Sequence, residues 1–398
     1  MQIAPWNPWT TTMADPSEPP HAEPDQESET PQQGGIELGS PGPGRKCEVI
    51  QAPVDISPPV PRVPIFDRIA VRMQLQLAGI SPGDRNAGVD PGIQAPEETV
   101  RLNRLQSLRW EDDCRPLLTG QPAMHQALAL LREECPAFVA VINLVERAVC
   151  LSETAGTGIA IPPVLLVGPP GLGKTHFARR LAGAIGAEQH AYSCATNSDA
   201  QALLVGHPPS WRGARMGVIT EALLASGTAN PVLVLDEIDK LVTHATEKPY
   251  NTLLTLLEPE NAAALVDEFL RIPFDLSHCL IVATANDPDA LPGFIRDRFL
   301  IVAVEAPSGE TLRAIACNIA SAVIAAHGLA FAMPSDVVIA RLAQANPRTI
   351  RRMVTLALGF AAAAKRDHLA IADVDASMAL TASEVDRRPI GFVSSRQG

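Results

Sequence analysis

Cysteine motifs are missing from this sequence. Its seven cysteines are scattered along the chain, and they form no C-x-x-C pair and no spacing typical of a zinc site. An odd, dispersed set of cysteines fits a reducing compartment better than a disulfide framework. We therefore expect small buried side chains at most of these positions and assign them no chemistry.

Positive charge and long apolar runs are also scarce. The chain carries 32 Lys and Arg residues against 44 Asp and Glu residues, a formal net charge of −12. This balance argues against a protein that binds the phosphate backbone of nucleic acids, because such binding needs a basic surface. No apolar run approaches the roughly 20 residues of a membrane span, and no signal-peptide pattern opens the sequence. We expect a cytoplasmic protein with neither a membrane nor a nucleic acid as its partner.

What the sequence does contain is a glycine-rich loop placed after an apolar run. Four apolar residues, Val164–Val167, predict a short strand buried on both faces. The letters G-P-P-G-L-G-K-T follow and fit G-x-x-x-x-G-K-[ST], in which glycines let backbone N–H groups surround phosphate oxygens. A predicted helix at 176–185 points its positive end at the same anion. The predicted nucleotide-binding residues are Gly168, Pro169, Pro170, Gly171, Leu172, Gly173, Lys174, Thr175 and His176.

Polar residues end two further apolar runs. Asp236 and Glu237 close the run at 231–235, and Asn286 follows the run at 279–284. Because the carboxyl ends of parallel strands lie at one edge of a sheet, these side chains are expected beside the glycine-rich loop.

The chemistry of these residue types predicts a site for ATP and Mg²⁺. Lys174 would reach the outer phosphates, and the Thr175 hydroxyl would bind the metal. Asp236 would hold Mg²⁺ through water, and Glu237 would polarise the attacking water. Asn286 would orient that water near the terminal phosphate, with a plain turn asparagine as the alternative.

The composition divides the chain into segments of different character. Residues 1–61 are rich in Pro, Gly, Ser and acids, and we expect disorder because too little apolar surface is available to offset the ordering entropy. Residues 62–120 are interpreted as a mixed linker with one short helix. An α/β domain with two leading helices occupies 121–306, an all-α lid occupies 307–390, and residues 391–398 form a tail.

Two further features allow more than one interpretation. Trp211 lies in a Gly/Pro-rich loop and is either folded back into the core or offered outward for contact. Asn346 and Pro347 predict the start of a long lid helix. The basic residues of that segment are interpreted as a solvated helix face rather than a DNA-binding patch. They are Arg351, Arg352, Lys365 and Arg366.

Together these motifs resemble those of an AAA+ ATPase, and more narrowly the ATPase module of Lon-family ATP-dependent proteases. The phosphate loop alone indicates a P-loop NTPase, and the narrower resemblance rests on blocks in the middle of the chain. These blocks are L-L-T-L-L-E-P-E-N at 253–261, D-E-F-L at 267–270, F-D-L-S at 274–277, T-A-N-D at 284–287 and I-R-D-R at 295–298. The resemblance covers about 120–390. It implies a parallel P-loop sheet flanked by helices and followed by a small all-α lid.

The resemblance also implies roles for single residues of the nucleotide domain. Lys174 and Thr175 match the residues that bind nucleotide and metal in the family. Asp236 and Glu237 match the Walker B pair. Asn286 takes the place of sensor 1.

Outside that set, the resemblance implies functional roles for two arginines and one loop. Arg348 matches the sensor-2 arginine of the lid, and Arg298 matches the arginine finger, which stabilises charge on the γ-phosphate of a neighbouring subunit. A finger acting in trans implies a ring, and a homo-hexamer is the family's usual form. The loop at 210–213 falls where the family has its substrate-gripping pore loop, which favours an exposed Trp211. Arg212 stands where an aliphatic residue is usual.

The sequence departs from the family at both ends. It stops near the end of the lid, so we do not expect the family's Ser-Lys peptidase domain, and an acidic arm replaces the large N-terminal substrate-binding region. The leading hypothesis is therefore a ring-forming ATPase that unfolds or remodels a protein client. The alternatives are an ATPase subunit that works with a separate peptidase and a nucleotide-gated regulatory switch.

Overall fold

The computed structural model of this chain describes residues 60–81, 96–196, 204–241, 250–328 and 331–382. The expected tail at 391–398 and all but the last two residues of the expected N-terminal arm lie outside this part of the chain. No single helix within it is long and apolar enough to cross a membrane. The consecutive helices Pro122–Glu134 and Pro136–Ala155, bent by 114°, meet the length and composition requirement only when taken together.

Strands and helices are interspersed up to residue 303, and within the described segments 304–328 and 331–382 only helices follow. The strands are β1 (Arg62–Pro64), β2 (Cys114–Pro116), β3 (Val164–Val167), β4 (Gln189–Ser193), β5 (Val232–Asp236), β6 (Leu265–Asp267), β7 (Ile272–Phe274), β8 (Leu280–Ala285) and β9 (Leu300–Ala303). The helices are α1 (Arg68–Leu77), α2 (Pro96–Trp110), α3 (Pro122–Glu134), α4 (Val139–Ala155), α5 (Lys174–Ala184), α6 (Val218–Ala225), α7 (Tyr250–Leu257), α8 (Pro259–Ala262), α9 (Gly293–Arg296), α10 (Gly309–Ala326), α11 (Asp336–Leu342), α12 (Pro347–Ala363) and α13 (Ile371–Ala382).

The central sheet has five parallel strands in the order β4-β5-β8-β3-β9. Val164 of β3 pairs with Val282 of β8 on one side and with Leu300 of β9 on the other. Helices cover both faces of such a sheet, so its central strands are continuous apolar runs, as the sequence predicts for β3, β5 and β8. The sheet confirms the predicted fold class, and the carboxyl ends of these three strands lie at one edge.

One face of the sheet packs against α3, α4 and α5. Leu128, Val141 and Ile142 of the two leading helices are fully buried there. The ring of Phe138 stacks on the ring of Phe177, with 4.1 Å between their centroids. This packing fixes the position of α5, the helix that begins at the phosphate loop.

The other face packs against a layer that includes residues predicted to be a linker. β1 and β2 form an antiparallel pair, and apolar side chains of α1 and α2 join the same core as β5 and β8. Phe66 is 4% exposed and its ring lies 6.2 Å from the ring of Phe274. Residues 62–81 and 96–120 therefore belong to the nucleotide domain instead of the mixed linker that their composition indicated.

The lid is a separate cluster of helices, α10 to α13, with its own apolar core. Within it, α12 packs against both α10 and α13. At the start of α12, the Asn346 side chain accepts a hydrogen bond from Thr349 N at 2.9 Å, and Pro347 occupies the first turn. This arrangement is the predicted N-cap, and it places Arg348 in the first turn of the helix.

Candidate functional site

The phosphate loop connects β3 to α5 in the conformation that its glycines permit. Gly171 and Gly173 have φ angles of 86° and 85°, in the left-handed region that glycine adopts without steric cost. A side chain at Gly168 would place its Cβ only 2.4 Å from the carbonyl oxygen of Val304. The loop ends at Lys174, where α5 begins and its unpaired N–H groups face the loop.

Lys174 is held inside the loop by three acceptors. Only 7% of the residue is exposed, and its Nζ donates to the carbonyl oxygens of Gly168 at 2.6 Å and Pro169 at 3.0 Å, and to Oδ1 of Asn286 at 2.9 Å. Burial lowers the pKa of Lys174, and the nearby carboxylates of Asp239 and Asp236 act in the opposite direction. The ammonium is thus positioned where phosphate oxygens could replace the carbonyl acceptors, with Asn286 beside it.

The acid pair at the end of β5 is tied to its surroundings by two hydroxyl groups. Oδ1 of Asp236 accepts from the Thr175 hydroxyl and from the Thr284 hydroxyl, each at 2.6 Å. The Thr284 hydroxyl in turn accepts from the backbone N–H of Glu237 at 3.0 Å. Glu237 has a φ of 56°, an uncommon conformation for a residue with a side chain. Thr284 therefore fixes the orientation of both acidic residues.

The donor set beside the loop fits a magnesium ion. The Thr175 hydroxyl and the Asp236 carboxylate are hard oxygen donors, the kind that Mg²⁺ prefers, and they already lie within hydrogen-bond distance of each other. The cavity at this edge of the sheet has a volume of about 360 Å³. Its lining includes Lys174, Thr175, Asp236, Glu237, Asn286 and Arg348. The structure thus brings together all the predicted catalytic and metal-binding side chains except Arg298.

The lid contributes two arginines to this cavity, of which the sequence predicted one. The Cβ of Arg348 lies 3.5 Å from the point that a Cβ on Gly171 would occupy, so α12 begins directly above the loop. Arg351 is exposed, as its interpretation as part of a solvated face predicts, and it also lines the cavity, which was not predicted. Arg352 instead lines a groove within the lid, and Arg366 pairs with Asp373 at 2.7 Å. The helical period separates Arg351 from Arg352, because only residues three or four apart share a face.

Arg298 lies outside this chain's own cavity. Its Nε and Nη2 donate to Oε1 of Glu258 at 2.9 Å and 2.7 Å, and its Nη1 donates to the carbonyl oxygen of Phe294 at 2.9 Å. The hydrogen bond from Arg298 holds the pKa of Glu258 below its ordinary value. The guanidinium is therefore held by groups outside the lining of the cavity that contains Lys174.

The loop that carries Trp211 is a hairpin with a closed base. Gly206 and Met216 form an antiparallel bridge, and His207 N donates to the carbonyl oxygen of Arg215 at 3.1 Å. Trp211 is 53% exposed at the far end of the hairpin. The structure therefore places this side chain outward, as one of the two interpretations predicted.

A second cavity adjoins the first on the side of α10 and was not predicted from the sequence. It has a volume of about 530 Å³, and its apolar lining includes Phe138, Leu172, Ile315, Ile319 and Ala322. An apolar cleft with a few polar groups at its margin is typical of a small-molecule site. Sequence reasoning missed it because its walls come from segments 134–138, 172–180, 315–325 and 347–351, which are apart in the chain and carry no joint motif.

Comparisons with known proteins agree with this geometry. The sequence model of the family described as "ATPase family associated with various cellular activities (AAA)" matches residues 164–304. The chain is 42% identical to Lon protease 1 of Syntrophotalea carbinolica over 137 residues, which are 34% of this chain and 17% of that protein. It is 33% identical to the Lon protease of Chloroflexus aggregans over 222 residues, 54% of this chain and 26% of that protein.

Among solved structures, the RuvB Holliday junction branch migration motor of Thermotoga maritima is similar, with a TM-score of 0.41 and 20% identity. The match covers 66% of this chain and 70% of that chain. The aligned part of this chain spans about a quarter or less of the length of the two Lon proteases. Residues 164–304, which contain the phosphate loop, the acid pair and Asn286, form an ATPase domain of the AAA family, and homologues of this ATPase region include Lon proteases.

Proposed function

We propose that this chain is a Mg²⁺-dependent ATPase that assembles into a ring and uses ATP hydrolysis to unfold or remodel a protein client. The observation that carries the proposal is the hydrogen-bonded set at the sheet edge. Lys174 is bonded to Asn286, and Asp236 is bonded to Thr175 and to Thr284, whose hydroxyl orients Glu237. Each group is held by another before any ligand arrives, which is the preorganisation that phosphoryl transfer requires.

The two adjoining cavities support one orientation for ATP. The apolar cavity suits the base, and the loop with its lysine suits the triphosphate. Lys174 would exchange its carbonyl acceptors for phosphate oxygens, Asn286 would orient the attacking water, and Glu237 would polarise it. Mg²⁺ held by Thr175 and Asp236 would supply charge neutralisation on the phosphates.

A ring is supported by the position of Arg298. The arginine is absent from the lining of this chain's own cavity, and its guanidinium is held by Glu258 in a defined orientation. A cation that stabilises transition-state charge contributes only when it reaches the γ-phosphate. We therefore infer that Arg298 completes the site of a neighbouring copy.

A protein client is supported by the hairpin that carries Trp211. A large exposed aromatic side chain on a hairpin with a hydrogen-bonded base is suited to contact an unfolded segment through apolar area. The hairpin leads directly into α6, which packs on the same sheet that carries the nucleotide site. Movement at the nucleotide site could thus be transmitted to the tryptophan.

Mixing two inactive variants tests the ring and the site together. Glu237→Gln should bind ATP without turnover, and Arg298→Ala should be inactive because it cannot complete its neighbour's site. A mixture should regain activity, since a Glu237→Gln subunit supplies its intact arginine to an intact site on the other variant. Arg296→Ala, whose arginine pairs with Asp289 at 2.6 Å, is the matched control and should keep wild-type turnover. A mixture as inactive as its parts, or full activity from a monomer, contradicts the arginine finger.

The similarity to Lon proteases favours a second candidate, an ATPase subunit that works with a separate peptidase. Casein incubated with the purified chain and ATP should remain intact and be cleaved only after that partner is added. A nucleotide-gated switch is distinguished by its stimulus. Turnover stimulated by unfolded protein supports the remodeller, whereas turnover stimulated only by DNA contradicts it.

A further inference from the structure

The phosphate cavity and the apolar cavity meet at a narrow set of residues. Six residues line both cavities. They are Leu172, Gly173, His176, Ile319, Pro347 and Arg351. Of these six, Arg351 carries a full positive charge. Whatever ligand spans the two cavities must pass this guanidinium.

Arg351 is placed on α12 one turn beyond Arg348, and the two side chains share a face of the helix. Within the described residues, its guanidinium has no carboxylate partner, whereas Arg341 of the lid pairs with Asp375 at 2.7 Å. The charge of Arg351 is felt at His176, whose pKa is lowered first by burial and then by this arginine. A cation that faces the junction without a counter-charge is suited to receive an anionic group from a ligand.

We propose that Arg351 binds the α-phosphate of the nucleotide. The inference rests on the proposed ATP site, in which the base occupies the apolar cavity and the outer phosphates occupy the glycine loop beside Lys174 and Arg348. The ribose and the α-phosphate then cross the junction, and the α-phosphate is the anionic group there. The two lid arginines would thus contact different phosphates, with Arg348 toward the outer end of the triphosphate and Arg351 at the α-phosphate.

The contact between Arg351 and the α-phosphate affects product release. ADP keeps its α-phosphate, so the contact with Arg351 survives hydrolysis. The lid would therefore remain bound to the nucleotide after the γ-phosphate leaves, and it would open only when ADP itself dissociates.

Calorimetric titration of the full chain with ATP, ADP and adenosine tests the assignment, with ATP measured in the Glu237→Gln background to prevent turnover. Arg351→Ala should weaken ATP and ADP binding by a similar factor, about 10-fold or more for the loss of one charge-assisted contact. Adenosine binding should not change. Arg351→Lys should recover part of the loss. Arg352→Ala, which removes the adjacent arginine on the lid-groove side of α12, should bind as the wild type does.

The outcomes separate this assignment from the function it rests on. If wild-type chain binds neither ATP nor ADP, the proposed function fails and the assignment fails with it. If the wild type binds both and Arg351→Ala binds them equally well, the assignment alone is overturned. An equal loss for adenosine would also overturn it, because the contact would then be to the nucleoside. Thermal unfolding of each variant confirms that the comparison is made on folded protein.

Discussion

A single hydroxyl organises the catalytic acids. Thr284 donates to Asp236 and accepts from the backbone N–H of Glu237, so one side chain sets the position of both. The acid pair and Asn286 are recognised in the sequence as site residues, whereas Thr284, although it opens the T-A-N-D block, is only one polar residue in an otherwise apolar strand. Its importance depends on β5 and β8 being neighbours in the sheet, and that pairing cannot be read from local pattern.

Thr284→Val should reduce ATP turnover by about 10- to 100-fold, the usual effect of removing a group that orients a catalytic ligand. Valine keeps the shape of the side chain but leaves Oδ1 of Asp236 and the N–H of Glu237 without this partner. Thr284→Ser retains the hydroxyl and should keep most of the activity. Steady-state turnover at saturating ATP measures the effect, and equal rates for the valine variant and the wild type would contradict the role.

His176 gives the folded chain a pH dependence whose sign follows from its environment. Burial, and after it the charges of Arg351 and Arg180, lower the pKa of His176 below the ordinary value of 6.5. The unfolded chain then binds a proton more readily than the folded chain as pH falls below that value, so the free energy of unfolding should decrease toward acid. His176→Gln should show a smaller decrease. Denaturant unfolding of the wild type and of His176→Gln, each at about pH 7.5 and about pH 5.5, measures this decrease in the free energy of unfolding for both proteins.

At the scale of elements, apolar runs predict the central strands well because both faces of those strands are buried. β3, β5 and β8 begin and end within a residue or two of their predicted positions. The three-residue strands β1, β2, β6 and β7 escape prediction, since three residues are too few to show a period. The lid helices are predicted because Asn346 and Pro347 mark the start of α12 and apolar residues recur along it.

Replacing glycine by alanine should stabilise the fold at one position and destabilise it at another. Gly359 lies inside α12, and an added Cβ there meets nothing within 4 Å. Gly359→Ala should therefore raise the free energy of unfolding by about 0.5–1 kcal/mol, the helix preference for alanine over glycine. At Gly217, before α6, an added Cβ would lie 2.1 Å from the carbonyl oxygen of Leu204. Gly217→Ala should lower the free energy of unfolding by about 1–3 kcal/mol. Thermal unfolding should show a higher unfolding temperature for Gly359→Ala and a lower one for Gly217→Ala than for the wild type.

At the scale of the whole molecule, the main difference from the sequence interpretation is the role of residues 62–81 and 96–120. Their apolar residues are spread over two helices, α1 and α2, and a Gly/Pro-rich sequence separates the two segments, so the composition of 62–120 as a whole conceals them. Leu102, Leu105 and Leu108 nevertheless recur at intervals of three and are fully buried in the core that includes β5 and β8. The motifs of the nucleotide site are formed by residues close together in the sequence, whereas burial in this core depends on contacts with residues far away in the sequence.

Phe66→Ala tests whether this layer is part of the nucleotide domain. Phe66 is buried against Phe274, so its truncation should cost about 3–5 kcal/mol and lower the unfolding temperature of the domain. Ile69→Ala, at a position that is 67% exposed on the neighbouring helix α1, is the control and should change little. A layer that acted only as a tether would give both variants the same unfolding temperature.

The first turns of α5 and α12 converge on one point, where Asn346 lies against Gly171. Each helix brings the positive end of its dipole there, and Lys174, Arg348 and Arg351 add three full charges. The charge of Arg348 on the lid opposes that of Lys174, while the carboxylates of Asp236, Glu237 and Asp239 offset this repulsion. A polyphosphate would attract the cations on both sides of the cavity at once. The molecule that drives the reaction would then also hold lid and sheet together, and its departure would remove that attraction.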